Sequence, residues 1–158
     1  MGGGSTELTL IRDGKRIKSK SFQIGTVREL AGRLPDGEWA AVQAYVADLQ
    51  DAERPLYAIG TGGNANRLQR LALTPRDEAI PMAKLAEVAN DLAKLTVEER
   101  GRTYHLKPDR ADVIVPAANM YLEIMTMAGA SHMMVPKVGL VDGMVLSTYG
   151  EWKAEQAC

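Results

Sequence analysis

The stretch from Gly2 to Ile24 constrains this chain more than any other. Thr6-Glu7-Leu8-Thr9-Leu10-Ile11-Arg12 alternates polar and apolar residues, Asp13-Gly14 interrupts it, and Lys15 to Ile24 alternates again. An Asp-Gly pair between two alternating runs predicts a tight β-hairpin, because its turn needs residues that tolerate positive φ. Directly before the hairpin stand Gly2, Gly3 and Gly4. Without a Cβ, successive glycines let the backbone approach a ligand closely. Ser5 and Thr6 add hydroxyls, and Glu7 adds a carboxylate that could meet a metal. These are the components of a phosphate-cradling loop. Such a loop ordinarily joins two strands, and no strand precedes this one. Composition alone leaves a start-site artefact open.

The rest of the chain alternates helix and strand signals. Gly25 ends the hairpin, and Thr26 is placed to cap a helix through Leu34, which Pro35-Asp36-Gly37 breaks. Trp39, Val42, Tyr45, Val46 and Leu49 predict a helix over 38–49. Leu56-Tyr57-Ala58-Ile59 reads as a short strand entering Gly60-Thr61-Gly62-Gly63-Asn64, with a helix over 65–73. Strand, glycine loop and helix N-terminus in succession form an arrangement that binds anions. Further helices are predicted over 80–95, after a Thr96-Val97-Glu98-Glu99 capping box, and over 111–127. The last of these is almost wholly apolar and should be buried on most sides, with Gly129 as its cap. Residues 132–138 read as the last core strand and 139–149 as a final turn or short helix. The polar tail over 151–158 reads as frayed and disordered. The order predicts one α/β domain over 1–158, with helices packed on a mixed sheet.

Bulk properties narrow the function classes. At 158 residues the chain can bury one core. A net charge of −1 gives no field that would recruit nucleic acid or an anionic membrane, so neither is an expected partner. The longest uncharged apolar run, Val113 to Leu122, is too short to span a bilayer and holds Pro116 and Asn119. The single Cys158 fits a reducing compartment, and with no signal-like start the expected location is cytoplasmic. His105 and His132 have no partners at metal-ligand spacing and read as structural or solvated; the methionines read as core filling. Lys15, Arg16, Lys18 and Lys20 form a basic patch that reads as a solvated strand face or as the wall of a groove for a polyanion.

Five segments together resemble the exopolyphosphatase/guanosine pentaphosphate phosphatase (Ppx/GppA) family of the actin-like ATPase superfamily. They are Gly2-Gly3-Gly4-Ser5-Thr6-Glu7-Leu8, Ser21 to Arg28, Gly60-Thr61-Gly62-Gly63-Asn64-Ala65, Lys107 to Ile114 and Gly139-Leu140-Val141-Asp142-Gly143. They occur in the family's order and span nearly the whole chain. The last departs from the family's usual Gly-Leu-Arg-Glu-Gly, which implies a divergent subfamily. The resemblance implies an actin-like (ribonuclease H-like) half domain, the second half of a two-lobed catalytic module with its active site in the cleft. The first lobe, with another phosphate loop and the glutamate that activates water, and a Mg²⁺-holding aspartate just ahead of the glycine triplet, would both lie outside this chain.

The resemblance further implies a phosphohydrolase that removes terminal phosphate from inorganic polyphosphate or guanosine pentaphosphate with the aid of Mg²⁺. Gly2, Gly3, Gly4, Ser5 and Thr6 would cradle phosphate, Gly60, Thr61, Gly62 and Gly63 would line the cleft, and Glu7 would sit near the metal. Arg28 is a lesser candidate, pairing with phosphate or holding the loop. The chain's partners would be the first lobe and, as a family expectation, a second copy in a homodimer. Alone it is expected to be inactive. The rival readings are a non-catalytic phosphate- or nucleotide-binding module and half of a sugar kinase or actin-like ATPase.

Overall fold

A computed structural model describes residues 1–49, 55–75, 77–136 and 138–156. β1 (Thr6–Arg12) and β2 (Lys15–Phe22) pair antiparallel from Thr6↔Phe22 to Arg12↔Lys15, with a one-residue register shift between Leu10 and Ile11 that skips Ile17. Asp13 and Gly14 take φ of 52° and 73°, the doubly positive turn that an Asp-Gly pair favours. Side chains alternate as a period of two requires: Thr6, Leu8 and Leu10 turn inward, while Glu7, Thr9 and Ile11 are exposed.

α1 (Thr26–Leu30) is shorter than its sequence suggests, because Gly32 turns the chain at φ 62°. Gly25, not Thr26, occupies the N-cap, and no side chain caps the helix. Its first amides are instead taken by loop carbonyls: Thr26 N–H donates to Gly2 O (3.2 Å), and Val27 and Arg28 N–H donate to Gly3 O (3.0 and 3.1 Å). These are among the donors that every helix start leaves without an internal partner. α2 (Glu38–Ala47) then closes over the hairpin, joining Val42, Tyr45 and Val46 to Phe22, Ile24 and Met120 in one core cluster. Tyr45 meets the Phe22 ring edge-on at 5.4 Å and donates to Leu8 O at 3.3 Å.

The second core lies under a mixed sheet. β3 (Ala58–Ile59) leads into α3 (Gly63–Leu71), and β4 (Ile80–Pro81) into α4 (Met82–Ala93). α5 (Val97–Tyr104) starts at the expected capping box, with Glu99 N–H donating to Thr96 Oγ1 (3.2 Å) and Thr96 N–H to Glu99 Oε2 (2.8 Å). α6 (Pro108–Ala111) is a single turn before α7 (Ile114–Ala128), so the helix predicted over 111–127 begins three residues later, after a separate turn. β5 (His132–Met134) pairs parallel with β3 and antiparallel with β4, giving the order β3-β5-β4. The predicted α/β class with a mixed sheet is present, although the hairpin forms a separate sheet and β4 has no strand signal in the sequence. α7 serves both cores: Ile114, Ala118 and Met125 enter one and Met120 the other.

α8 (Leu140–Gln156) continues well into the stretch read as a frayed tail. Lys153, Glu155 and Gln156 are good helix formers and extend it without help from packing. Cys158 lies outside the described residues. No helix among the described residues is long and apolar enough to cross a membrane.

The tightest backbone contact joins the two ends of the hairpin. A Cβ on Gly25 would stand 2.4 Å from Gly3 O and 2.5 Å from the carbonyl carbons of Gly3 and Gly4. All three are backbone atoms and cannot rotate away. Gly25→Ala should therefore destabilise the fold by about 1–3 kcal/mol or more. Gly143→Ala, whose Cβ meets nothing within 4 Å, should be neutral or stabilising by up to about 1 kcal/mol. Thermal melts of the two variants check this contrast.

Candidate functional site

The first glycine loop is built from its carbonyls outward. Gly2 O and Gly3 O accept from the first turn of α1, and Gly4 O accepts from Arg28 Nε at 3.1 Å. In a trans peptide the C=O and the following N–H point in opposite directions. Three consecutive carbonyls held against α1 therefore turn the N–H groups of Gly3, Gly4 and Ser5 away from it. None of these three has a hydrogen-bond partner among the described residues. Gly2 N–H differs, since it closes a turn onto Ser5 O at 2.9 Å. A Cβ on Gly3 would strike Val27 Cγ2 at 2.9 Å, so the loop's glycines serve its seating on α1 as well as its open face.

The second loop follows β3. Gly60 is buried, donates to Met134 O (2.8 Å) and leaves no room for a side chain, since a Cβ would stand 2.6 Å from Met133 Sδ. Gly62 has φ 99° and ψ 177°, a conformation essentially restricted to glycine. It ends the loop at the N-terminus of α3, where no side chain caps the helix. The N–H groups of Thr61, Gly62 and Gly63 have no hydrogen-bond partner among the described residues, and all three residues are exposed. The two loops adjoin: the Met1 carbonyl lies 3.8 Å from where a Cβ on Gly62 would be.

Tyr121, which no sequence spacing singles out, orients the second loop. Its hydroxyl donates to Thr61 O at 3.3 Å across from α7. By the same trans geometry, that bond turns Gly62 N–H outward. Burial lifts the Tyr121 phenol to about 12, so it stays a donor throughout the neutral range.

The remaining candidates divide. Ser5 is exposed at the loop's end, whereas Thr6 is 4% exposed and donates its hydroxyl inward to Ile24 O at 2.7 Å. Thr6 therefore ties the hairpin to the segment before α1 and has no hydroxyl proton left for a ligand. Arg28 holds the loop from behind through Nε. Glu7 lies on the outer face of the hairpin and accepts from Thr9 and Ser19 hydroxyls at 3.4 and 3.3 Å. A Mg²⁺ ion needs near-octahedral oxygen ligation, usually including one or two carboxylates. Glu7 offers one, already engaged, and no group of three His, Cys, Asp or Glu among the described residues could hold a metal. These donors do not make a Mg²⁺ site by themselves. Of the basic patch, Lys18 pairs with Asp48 and lies 4.9 Å over the Tyr45 ring, and Lys20 lies 5.0 Å over Phe22. His132 Nδ1 is bonded to Ser131 Oγ, and His105 ends α5 in the left-handed conformation.

A glycine loop ahead of a hairpin and a second at a strand-to-helix turn define an α/β lobe that presents paired backbone nests. The chain belongs to the Ppx/GppA phosphatase family, whose family model matches residues 1–151. Its fold is similar to that of the type II variant of the Aquifex aeolicus Ppx/GppA phosphatase, with a TM-score of 0.75 at 20% identity over 92% of this chain and 54% of that one. An exopolyphosphatase from Cytophaga hutchinsonii gives 0.72 at 17% identity, over 94% of this chain and 55% of that one. An exopolyphosphatase-like protein gives 0.68 at 21%, over 94% and 56%. The chain thus spans about half the length of the solved structures it matches. No curated protein matches it significantly.

The Tyr121 anchor has a pH signature. A phenol raised from 10 in the unfolded chain to about 12 in the fold contributes stability that is complete below pH 10 and is lost as pH rises toward 12. Tyr121→Phe should cost about 1 kcal/mol at neutral pH for the lost hydrogen bond. The variant should also lose stability less steeply above pH 10, as urea melts at several pH values will read.

Proposed function

We propose that this chain is the phosphate-holding lobe of a phosphohydrolase that removes terminal phosphate from inorganic polyphosphate or guanosine pentaphosphate. The observation that carries the reading is the pair of adjoining glycine loops, each with consecutive unpartnered N–H groups. Fixed backbone donors aimed at one space stabilise the negative charge that grows on the equatorial oxygens of a phosphoryl group in transfer. The family membership and the exopolyphosphatase fold likeness support the same chemistry.

In this reading Gly3, Gly4 and Ser5 hold one side of the terminal phosphate, and Thr61, Gly62 and Gly63 hold the other. Ser5 Oγ adds a hydroxyl donor at the open end of its loop. Tyr121 and Arg28 keep the two loops oriented without touching the ligand. The base that activates water and the far wall of the cleft come from the first lobe, which this chain meets as a partner. Mg²⁺, when bound, would neutralise phosphate charge, and its protein ligands would come largely from outside the residues described. The reading places the reaction in the cytoplasm.

This chain alone should therefore bind orthophosphate yet release none from polyphosphate or guanosine pentaphosphate at a steady rate. Gly62→Ala, which forces an alanine into a glycine-only conformation, should weaken orthophosphate binding by at least about tenfold, roughly the loss of one strong hydrogen bond to a charged group. Calorimetric titration and a sensitive phosphate-release assay check both expectations. Steady turnover by the isolated chain, or unchanged binding by Gly62→Ala, would overturn the assigned roles.

A further inference from the structure

Helix α8 leaves its apolar side chains in water, and every one of its described side chains is exposed. Val141, Val145, Thr148 and Trp152 recur at intervals of four, three and four residues, the spacing of a seam between two helices. Met144 and Tyr149 border that seam on either side, and the Tyr149 and Trp152 rings stack at 5.9 Å. Val141, Met144, Val145, Tyr149 and Trp152 are 53–72% exposed. Gly143, Ser147 and Gly150 stand on the opposite face, so, Leu146 apart, the large apolar residues gather on one side. A 17-residue helix with two interior glycines is marginal in water when nothing packs on it. A partner that covers the seam supplies the missing burial.

We propose that α8 pairs with α8 of a second copy of this chain, antiparallel, about a two-fold axis between Leu146 and Ser147. The inference stands independently of the phosphate-holding role of the loops. The pattern of sizes and charges along the helix selects this occupant. In that register the small Val141 faces the large Trp152 of the second copy, and Val145 faces the equally sized Thr148. An antiparallel pair sets each flank of the helix against the same flank of its copy. Asp142 and Lys153 share one flank, near opposite ends of the helix, so they meet crosswise and form two equivalent ion pairs. Asp142 gives Oδ2 to Gly139 N–H at 2.7 Å and keeps Oδ1 for a cation. Lys153 has no ion pair among the described residues. On the other flank Glu151 falls beside Met144 of the second copy and not beside its own counterpart. A parallel pair would instead set the Asp142 flank against the Glu151 flank and crowd both lobes at one end. The four half-exposed rings of the pair offer roughly 300–500 Å² for burial. With the aliphatic residues beside them, the interface belongs at the small end of stable ones, near about 1,200 Å². The dimer is therefore weak, with dissociation on the order of micromolar.

The test is sedimentation velocity of the full chain from about 1 to 500 µM, where mass action moves a weak dimer across its midpoint. The wild type should show a monomer–dimer equilibrium. Val145→Glu sets a charge in the middle of the seam and should weaken the dimer at least about tenfold. Circular dichroism of the dilute variant should match the wild type, because Val145 is exposed in the single copy. Lys153→Glu, which places two carboxylates together at each end of the pair, should weaken it at least about threefold. The exchange Asp142→Lys/Lys153→Glu should restore the dimer to within about twofold of the wild type, since opposite charges face each other again. A wild type that stays monomeric throughout would overturn the proposal and leave the seam to the first lobe. Assembly beyond the dimer, or a dimer unchanged by Val145→Glu, would overturn the seam as the contact. Failure of the charge exchange to restore the dimer would overturn the antiparallel register. Should Val145→Glu fail to fold, Trp152→Gln, exposed near the end of the helix, decides on the same readout.

Discussion

The contact on which the rest depends is the one between Gly25 and the backbone of Gly3 and Gly4. It brings the start of the chain to the start of α1 at a distance no side chain permits. At that distance the loop carbonyls become the cap of the helix, and the helix needs no side-chain cap. Planar trans peptides then leave the loop N–H groups nowhere to point but outward. The unpartnered donors of the loop and the donors that start α1 are thus linked by one packing event. Helix α1 uses its first amides on the loop, and the loop's own amides keep no partner among the described residues.

The second loop reaches the same result by other means. β3 is seated on Met133 because Gly60 has no side chain, and Gly62 adopts a conformation that only glycine reaches readily. Here the helix amides themselves stay open, and a phenol from α7 fixes the peptide ahead of them. α7 lies between the two cores, so it couples the hairpin layer to the mixed sheet and holds both loops to one frame. The lobe therefore carries its two glycine loops on one frame, assembled from distant parts of the chain.

Much of this was legible in the sequence because the decisive signals are local. Asp13-Gly14 specifies the hairpin, Thr96 and Glu99 specify a helix start, and the glycines at 2–4 and 60–63 mark both loops. What was not legible depends on tertiary geometry. Thr6 looks like a phosphate-loop hydroxyl, yet strand alternation places it inward on Ile24 O. Thr26 looks like a helix cap, yet carbonyls remote in sequence do that work. Tyr121 has no spacing that predicts it, because it meets the second loop only across the fold. The apolar runs at 56–59 and 132–138 announce β3 and β5, whereas the two residues of β4 are too few to register and read as the start of the helix that follows.

The central claim is that the two glycine loops act as a single anion site. Its most direct test is orthophosphate titration followed through the backbone amide resonances of the isotopically labelled chain. The account predicts that Gly3, Gly4, Ser5, Thr61, Gly62 and Gly63 shift together along one binding curve, while the lysines of β2 do not. Separate curves for the two loops, or shifts confined to the hairpin lysines, would contradict it.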